Sequence, residues 1–225
     1  MVSLLAARRL PLILTLSLAA TSVGVAAPLR FGVITSITGR GASVGAQQLA
    51  GFAAGVAEIK RRKLFGDRQV TLIVQDDASS VPQAVLAANS LAARNVRLIF
   101  SFDAIHGAKP LASFATKQRL PLVFLEGRGS FGASPFVVRL SGVKLGAKTA
   151  APVFRKQLGK NATSAAAVRA YLGLLAAATA LHDRDAERRD ALPQALTDVA
   201  MPSSYGTVRF TSNSAALAST GARPR

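Results

Sequence analysis

The chain has 225 residues, half of them hydrophobic, enough for one large or two small domains with a buried core. It has no cysteine, which excludes a thiol nucleophile, a thiolate zinc site and a structural disulfide, and His106 and His182 stand too far apart to form a spaced metal-ligand pattern. A formal net charge of +17 points toward anionic partners, but the cations are scattered, aromatics are only 6% and no tryptophan is present to stack on bases, so a solvated basic surface is expected and no nucleic acid.

The first element is "MVSLLAARRLPLILTLSLAATSVGVAA". Arg8 and Arg9 precede an apolar run from Leu10, and Gly24-Val25-Ala26 fits a small-x-small cleavage rule, so 1–26 is read as a secretory signal. The competing reading is an uncleaved anchor, which the polar interruptions at Thr15, Ser17, Thr21 and Ser22 disfavour. The mature chain is then expected to act outside the cytoplasm.

From Leu29 strands and helices alternate. "LRFGVITS" is a near-continuous apolar strand, followed by a helix from about Val44 to Lys60 that ends in the basic run "KRRK", where cations suit the helix dipole. "VTLIVQ" from Val70 is the next strand. A helix then starts at Ser80, with Gln83 at capping-box spacing and Pro82 in the first turn. "VRLIFSF" from Val96, the helix "GAKPLASFATKQ", "PLVFL" from Pro121 and "PFVVRL" from Pro135 continue the alternation. Such a series predicts an α/β fold with a doubly wound parallel sheet, with Ile34, Val74, Ile99 and Val123 buried at strand centres. Ligands in such sheets sit beyond the carboxyl ends of the strands. That rim comprises Ser36–Gly41, Asp76–Ser80, Phe102–His106 and Leu125–Ser130.

After Gly142 the rhythm breaks. "AAAVRAYLGLLAAATAL", Ala165 to Leu181, is nearly long enough for the ~20 apolar residues of a membrane span, but Arg169 interrupts it and a buried core helix is expected. Most, not all, of Val168, Leu172, Leu174, Leu175 and Leu181 should touch the sheet, because one helix face cannot hold all five. A charged helix disrupted near Pro193 follows, and "YGTVRFT" is the last strand.

The glycines of the first turn, Gly39, Gly41 and Gly45, come close to a nucleotide fingerprint. No Lys follows Gly45 as a phosphate-cradling P-loop requires, and the spacing is not G-x-G-x-x-G. The acid that would bind a ribose is also misplaced, since the next strand ends only at Asp76 and Asp77. Those two are read as capping and turn residues rather than an acid/base pair. No serine has a plausible histidine and acid in sequence context, so no enzyme is expected.

Taken together, "FGVITSITGRGASVGAQQLAGFAAGVAEI", "LFGDRQVTLIVQDDAS", "AVLAANSLAARNVRLIF" and "FATKQRLPLVF" resemble the leading lobe of periplasmic type I substrate-binding proteins, the leucine/isoleucine/valine-binding family of ABC importers. "FRKQLGKNATSAAAVRAYLGLLAAATAL" and "YGTVRF" resemble that family's late helices and closing strand. The resemblance covers most of 29–142 and 153–210.

It implies a ligand of amino-acid type, held without a cofactor or metal and delivered to an ABC permease in the membrane. Main-chain N–H groups at helix starts hold a carboxylate as readily as a phosphate. Ser36 and Thr38 of the S-x-T-G turn would flank the ligand. The family's receiving positions after the third and fourth strands match Asp103-Ala104-Ile105 and Glu126-Gly127-Arg128. Ala104 offers only its backbone. Glu126 could take an ammonium and Arg128 a carboxylate, or the two pair with each other.

The departure from the family is length, since a second α/β lobe has no residues assigned to it. The resemblance therefore implies 1–26 as signal, 27–142 as the leading part of one lobe, 143–159 as a seam, 160–212 as late helices and closing strand of that lobe, and 213–225 as a frayed tail. The competing functions are an exported one-lobed interaction module and a basic binder of nucleic acid or anionic surfaces.

Overall fold

The computed structural model describes residues 27–102, 108–126, 131–132, 134–145, 156, 158–159, 164–183 and 190–212. Strand β1 (Leu29–Thr35) is buried on both faces, as its apolar run demands, and lies parallel between β2 (Val70–Asp76) and β3 (Ile99–Ser101). The parallel series continues through β4 (Leu122–Phe124) and β5 (Val137–Ser141). Two antiparallel strands then close the sheet: β7 (Gly206–Ser212) pairs with β5, and β6 (Ala200–Ser203) pairs with β7. The order is β2-β1-β3-β4-β5-β7-β6.

Helix α1 (Ala42–Arg61) covers one face together with α4 (Ala165–Asp183) and α5 (Leu192–Asp198), while α2 (Val81–Ala93) and α3 (Ala108–Gln118) cover the other. Helices on both faces of a mostly parallel sheet make the fold doubly wound. Ile34, Ile99 and Val123 are buried as expected. Val74 is only half-buried, because β2 is the edge strand and lacks a neighbour on one side.

Helix α4 is long and apolar enough to cross a membrane, yet 78% of that stretch is buried within the fold. All five of its large aliphatics, Val168, Leu172, Leu174, Leu175 and Leu181, are buried, more than one helix face could hold. The reason is that α4 is wrapped from several directions, by the sheet, by α1 and by α5. Full burial of each such side chain is worth about 1.5–3 kcal/mol.

The approach of α1 to α4 depends on two glycines. A Cβ at Gly51 would lie 2.1 Å from the Ala167 carbonyl oxygen, and one at Gly55 would lie 2.9 Å from Leu174 Cδ2. The Ser164 hydroxyl caps α4 by accepting from Ala167 N–H at 3.2 Å, and it donates to Gln47 Oε1 on α1.

Two local expectations change. Ser80 stands at the N-cap of α2 in an extended conformation, but its side chain makes no cap bond. Strand β6 was unforeseen: it is four residues long, contains Pro202, and is held at the sheet edge by β7. The stretches read as a secretory signal (1–26) and a tail (213–225), and most of 143–159, lie outside the described residues.

Candidate functional site

At the carboxyl end of the sheet, the turns after β1 and β2 lock into each other. The Asp76 carboxylate accepts from Ile37 N–H at 2.8 Å, Thr38 N–H at 3.2 Å, the Thr38 hydroxyl at 2.6 Å and Ala78 N–H at 2.8 Å. The Thr38 hydroxyl, followed by Ala78 N–H and then the other two amides, holds its pKa down at about 2. Asp77 is buried and accepts from the Ser36 hydroxyl at 2.7 Å and Ser79 N–H at 2.8 Å. The Ser79 hydroxyl accepts from Gly41 N–H at 2.9 Å and lies 3.2 Å from Ser36 Oγ.

The glycine turn exists to permit this contact. Gly39 has φ +80, in the left-handed region, and a Cβ there would meet the Ala78 carbonyl oxygen at 2.7 Å. A Cβ at Gly45 would come within 1.9 Å of the Ser36 carbonyl oxygen, so α1 can start against the turn only with glycine there. Beneath it, the Thr35 hydroxyl donates to Gln48 Oε1.

The next part of the rim is the end of β4. Glu126 accepts from Arg169 Nη1 of α4 at 2.6 Å, an ion pair in which both side chains remain partly open to solvent. Beside it, Leu125 packs so closely on Gly173 that a Cβ there would lie 2.2 Å from Leu125 Cδ2. At the end of β3, Ser101 is 1% exposed, and its hydroxyl has no hydrogen-bond partner among the described residues.

Of the residues singled out in the sequence, Ser36, Thr38 and Glu126 are brought to one rim. Their polar groups are engaged with Asp77, Asp76 and Arg169 respectively. Asp103, Ala104, Ile105, Gly127 and Arg128 lie outside the described residues. Sequence reasoning overlooked Arg169 as a rim residue. Its signal was present, since it is the one charge in the apolar run from Ala165 to Leu181. Ser101 was overlooked too, a hydroxyl at the end of an apolar strand, three positions before the site expected at Ala104.

The arrangement offers ionic and hydrogen-bonding groups at the edge of a sheet rather than a nucleophile activated by a base. Among the described residues no group of three or more His, Cys, Asp or Glu is placed to hold a metal.

Residues 28–161 match the family model described as periplasmic binding protein. Among solved structures, the fold is similar to an ABC transporter substrate-binding protein from Sphaerobacter thermophilus, at 15% identity and a TM-score of 0.65, over 83% of this chain and 90% of that one. It is also similar to the branched-chain amino acid transporter substrate binding protein from Streptococcus pneumoniae in complex with isoleucine, at 10% identity and a TM-score of 0.64, over 83% and 93%. At these identities the likeness is one of fold. A possible leucine/isoleucine/valine-binding protein from Rhodopirellula baltica aligns at 23% identity and a TM-score of 0.45, over 62% of this chain and 38% of its own length. No curated protein matches the chain.

Proposed function

The chain belongs to the periplasmic binding protein family, and on that premise we propose that it is an extracytoplasmic solute-binding protein, or a one-lobed remnant of one, serving an ABC importer of branched-chain or other amino acids and related small molecules. The observation that carries this reading is the family match over 28–161, on a chain whose strand ends gather polar and ionic groups at a single rim. It performs no chemistry. Its task is to hold a solute and present it to a membrane permease.

On this reading the ligand lies across the β1, β3 and β4 ends. Ser36 and Thr38 shape the wall through their ties to Asp77 and Asp76, and Glu126 meets the ligand ammonium in competition with Arg169. Asp103, Ala104, Ile105, Gly127 and Arg128 complete the set. A closed pocket buries most of a small ligand, whereas one rim leaves much of it in water. Affinity is therefore expected to be no tighter than about 1 mM, near −4 kcal/mol.

An NMR titration with leucine, valine, glutamate and phenylalanine tests this. Saturable, stereoselective shifts at Ser36–Gly41 and Glu126 in that concentration range are expected. Identical responses to the L and D forms would sink the reading, and micromolar affinity would show that a second wall exists. Export is part of the same proposal: the intact mass of protein recovered from the extracytoplasmic fraction should begin at Ala27. A product starting at Met1 and confined to the cytoplasm would contradict it.

A further inference from the structure

The opposite end of the sheet, where the parallel strands begin, gathers cations. Lys60 lies there in the last turn of helix α1, and Lys63 follows in a left-handed turn at φ 52 that closes the helix. Arg30 is the second residue of β1, and Arg97, just before β3, donates its backbone N–H to the Arg30 carbonyl at 2.8 Å. Arg68 leads into β2 and donates its Nε to the Ala27 carbonyl at 2.7 Å.

Three cavities share these residues. One of about 380 Å³ is lined by Lys63, Arg68 and Arg97 together with Leu64 and Phe65. Another of about 460 Å³ adds Lys60, and a third of about 350 Å³ joins Arg68 and Arg97 to Arg30, Ala27 and Pro28. Arg61 and Arg62 lie nearby, and the buried carboxylate of Glu58 accepts from both. Across 27–30, 60–69 and 94–97 the only acid in the sequence is Asp67. These three stretches therefore carry a clear excess of positive charge, beside the end of α4, whose His182 also lines the first cavity and is followed by Asp183.

Two observations identify what such a surface fits. Its cations are interleaved with half-buried Leu64 and Phe65, an apolar and basic mixture suited to headgroups lying over acyl chains. Flat bases would instead want exposed stacking rings, and Phe65 already meets His182 edge-on at 6.3 Å. In addition, the polypeptide enters the fold here: Ala27 and Pro28 line the third of these cavities, and they follow directly in sequence on the apolar run from Leu10. In the precursor, before 1–26 is removed, that run would draw this end toward a bilayer; after cleavage the cations act alone.

We propose that the cationic end of the sheet, formed by Arg30, Lys60, Lys63, Arg68 and Arg97, docks on a lipid surface bearing anionic headgroups. Docked in this way, the ligand rim at the carboxyl ends of the strands points away from the membrane. The docked posture is then distinct from any posture that hands solute to a permease. The proposal stands independently of which solute the rim accepts.

Sedimentation of the full chain with phosphatidylglycerol–phosphatidylcholine vesicles, against pure phosphatidylcholine vesicles, tests it. The difference between the two lipids isolates the charge-dependent part from any insertion of the leader. The triple variant Arg30→Gln, Lys60→Gln, Lys63→Gln should bind the anionic vesicles about 100-fold more weakly, and the double variant Lys60→Gln, Lys63→Gln about 30-fold. Circular dichroism should show both folded. Raising the salt concentration should erase the difference between wild type and variant. A matched triple at the other end, Arg40→Gln, Lys109→Gln, Lys144→Gln, should bind like wild type. Equal losses in the two triples, no preference for phosphatidylglycerol, or tighter binding to duplex DNA at equal phosphate would each overturn the proposal.

Discussion

Replacing Gly51 with alanine tests whether the late helix α4 closes on the early helix α1. The added Cβ would sit 2.1 Å from the Ala167 carbonyl oxygen and 2.8 Å from Ala167 Cα and C. Contacts below 3.0 Å are essentially never found for a real Cβ, so the helices must separate by roughly 1 Å. The obstacle is backbone, which cannot rotate aside. Overpacking of this kind costs about 1–3 kcal/mol, and a backbone clash belongs at the upper end of that range. Alanine returns about 1 kcal/mol of helix propensity over glycine. The net expectation for Gly51→Ala is a loss of about 2 kcal/mol, or about 4–8 °C in Tm for a domain of this size.

Gly55→Ala supplies the contrast. There the nearest atom is Leu174 Cδ2 at 2.9 Å, the end of a flexible side chain that can turn away. The propensity gain should roughly cancel the packing cost, leaving stability within about 0.5 kcal/mol of wild type. Urea and thermal unfolding followed by circular dichroism measure both. If Gly51→Ala is as stable as wild type, or more stable, then α4 does not rest on α1 at that point and the packing described above is wrong.

Asp77→Ala should destabilise by about 2 kcal/mol, because it leaves the Ser36 hydroxyl and Ser79 N–H without their acceptor in a buried turn; an unchanged urea midpoint would show that water replaces the carboxylate without loss. Stability should also fall in acid. Glu58 is held at about 2 by the Arg61 hydrogen bonds first and Arg62 after, against burial that opposes them, and Asp76 sits at about 2 because of Thr38 and Ala78. A carboxylate whose folded pKa is depressed contributes stability above its ordinary value and loses it as pH falls through the folded one. The decline should therefore span from about 4.5 down to about 2, and Thr38→Ala should make it shallower, because Asp76 then contributes less while Glu58 still titrates down to about 2. A flat stability profile across that window would refute the assignment.

The parallel strands were legible because β1, β3 and β4 are short apolar runs bounded by polar turns, a pattern with few other solutions. Asp76 and Asp77 were also legible as turn residues, from their place directly after an apolar strand. What they bind was not. Ser36 and Thr38 read as hydroxyls facing a ligand, and only the fold reveals that carboxylates 41 and 38 positions away accept from them. The Glu126–Arg169 pair lies 43 positions apart and was equally hidden, so Glu126 was read only against a ligand ammonium or its local neighbour Arg128. Strand β6 escaped for a different reason. Its four residues carry little pattern of their own, and β7 alone holds them extended. Helix α4 showed its apolar character plainly but not its number of neighbours, so the burial of all five aliphatics exceeded what one helix face predicts.

The pairing of early with late segments also dictates when this fold can form. The Ser164–Gln47 bond joins positions 117 apart, and the Ser141–Arg209 bond on neighbouring strands joins positions 68 apart. Closing such long loops must precede the contacts that reward it, which raises contact order and slows folding. Until α4 and β7 are synthesised, the glycine stripe of α1 and the open side of β5 have nothing to rest against. A chain built in this way cannot complete its fold until its last helices and strands are made, and it remains closer until then to the extended state that threads a translocation channel. The same delay leaves its apolar strands open to aggregation before the last third arrives.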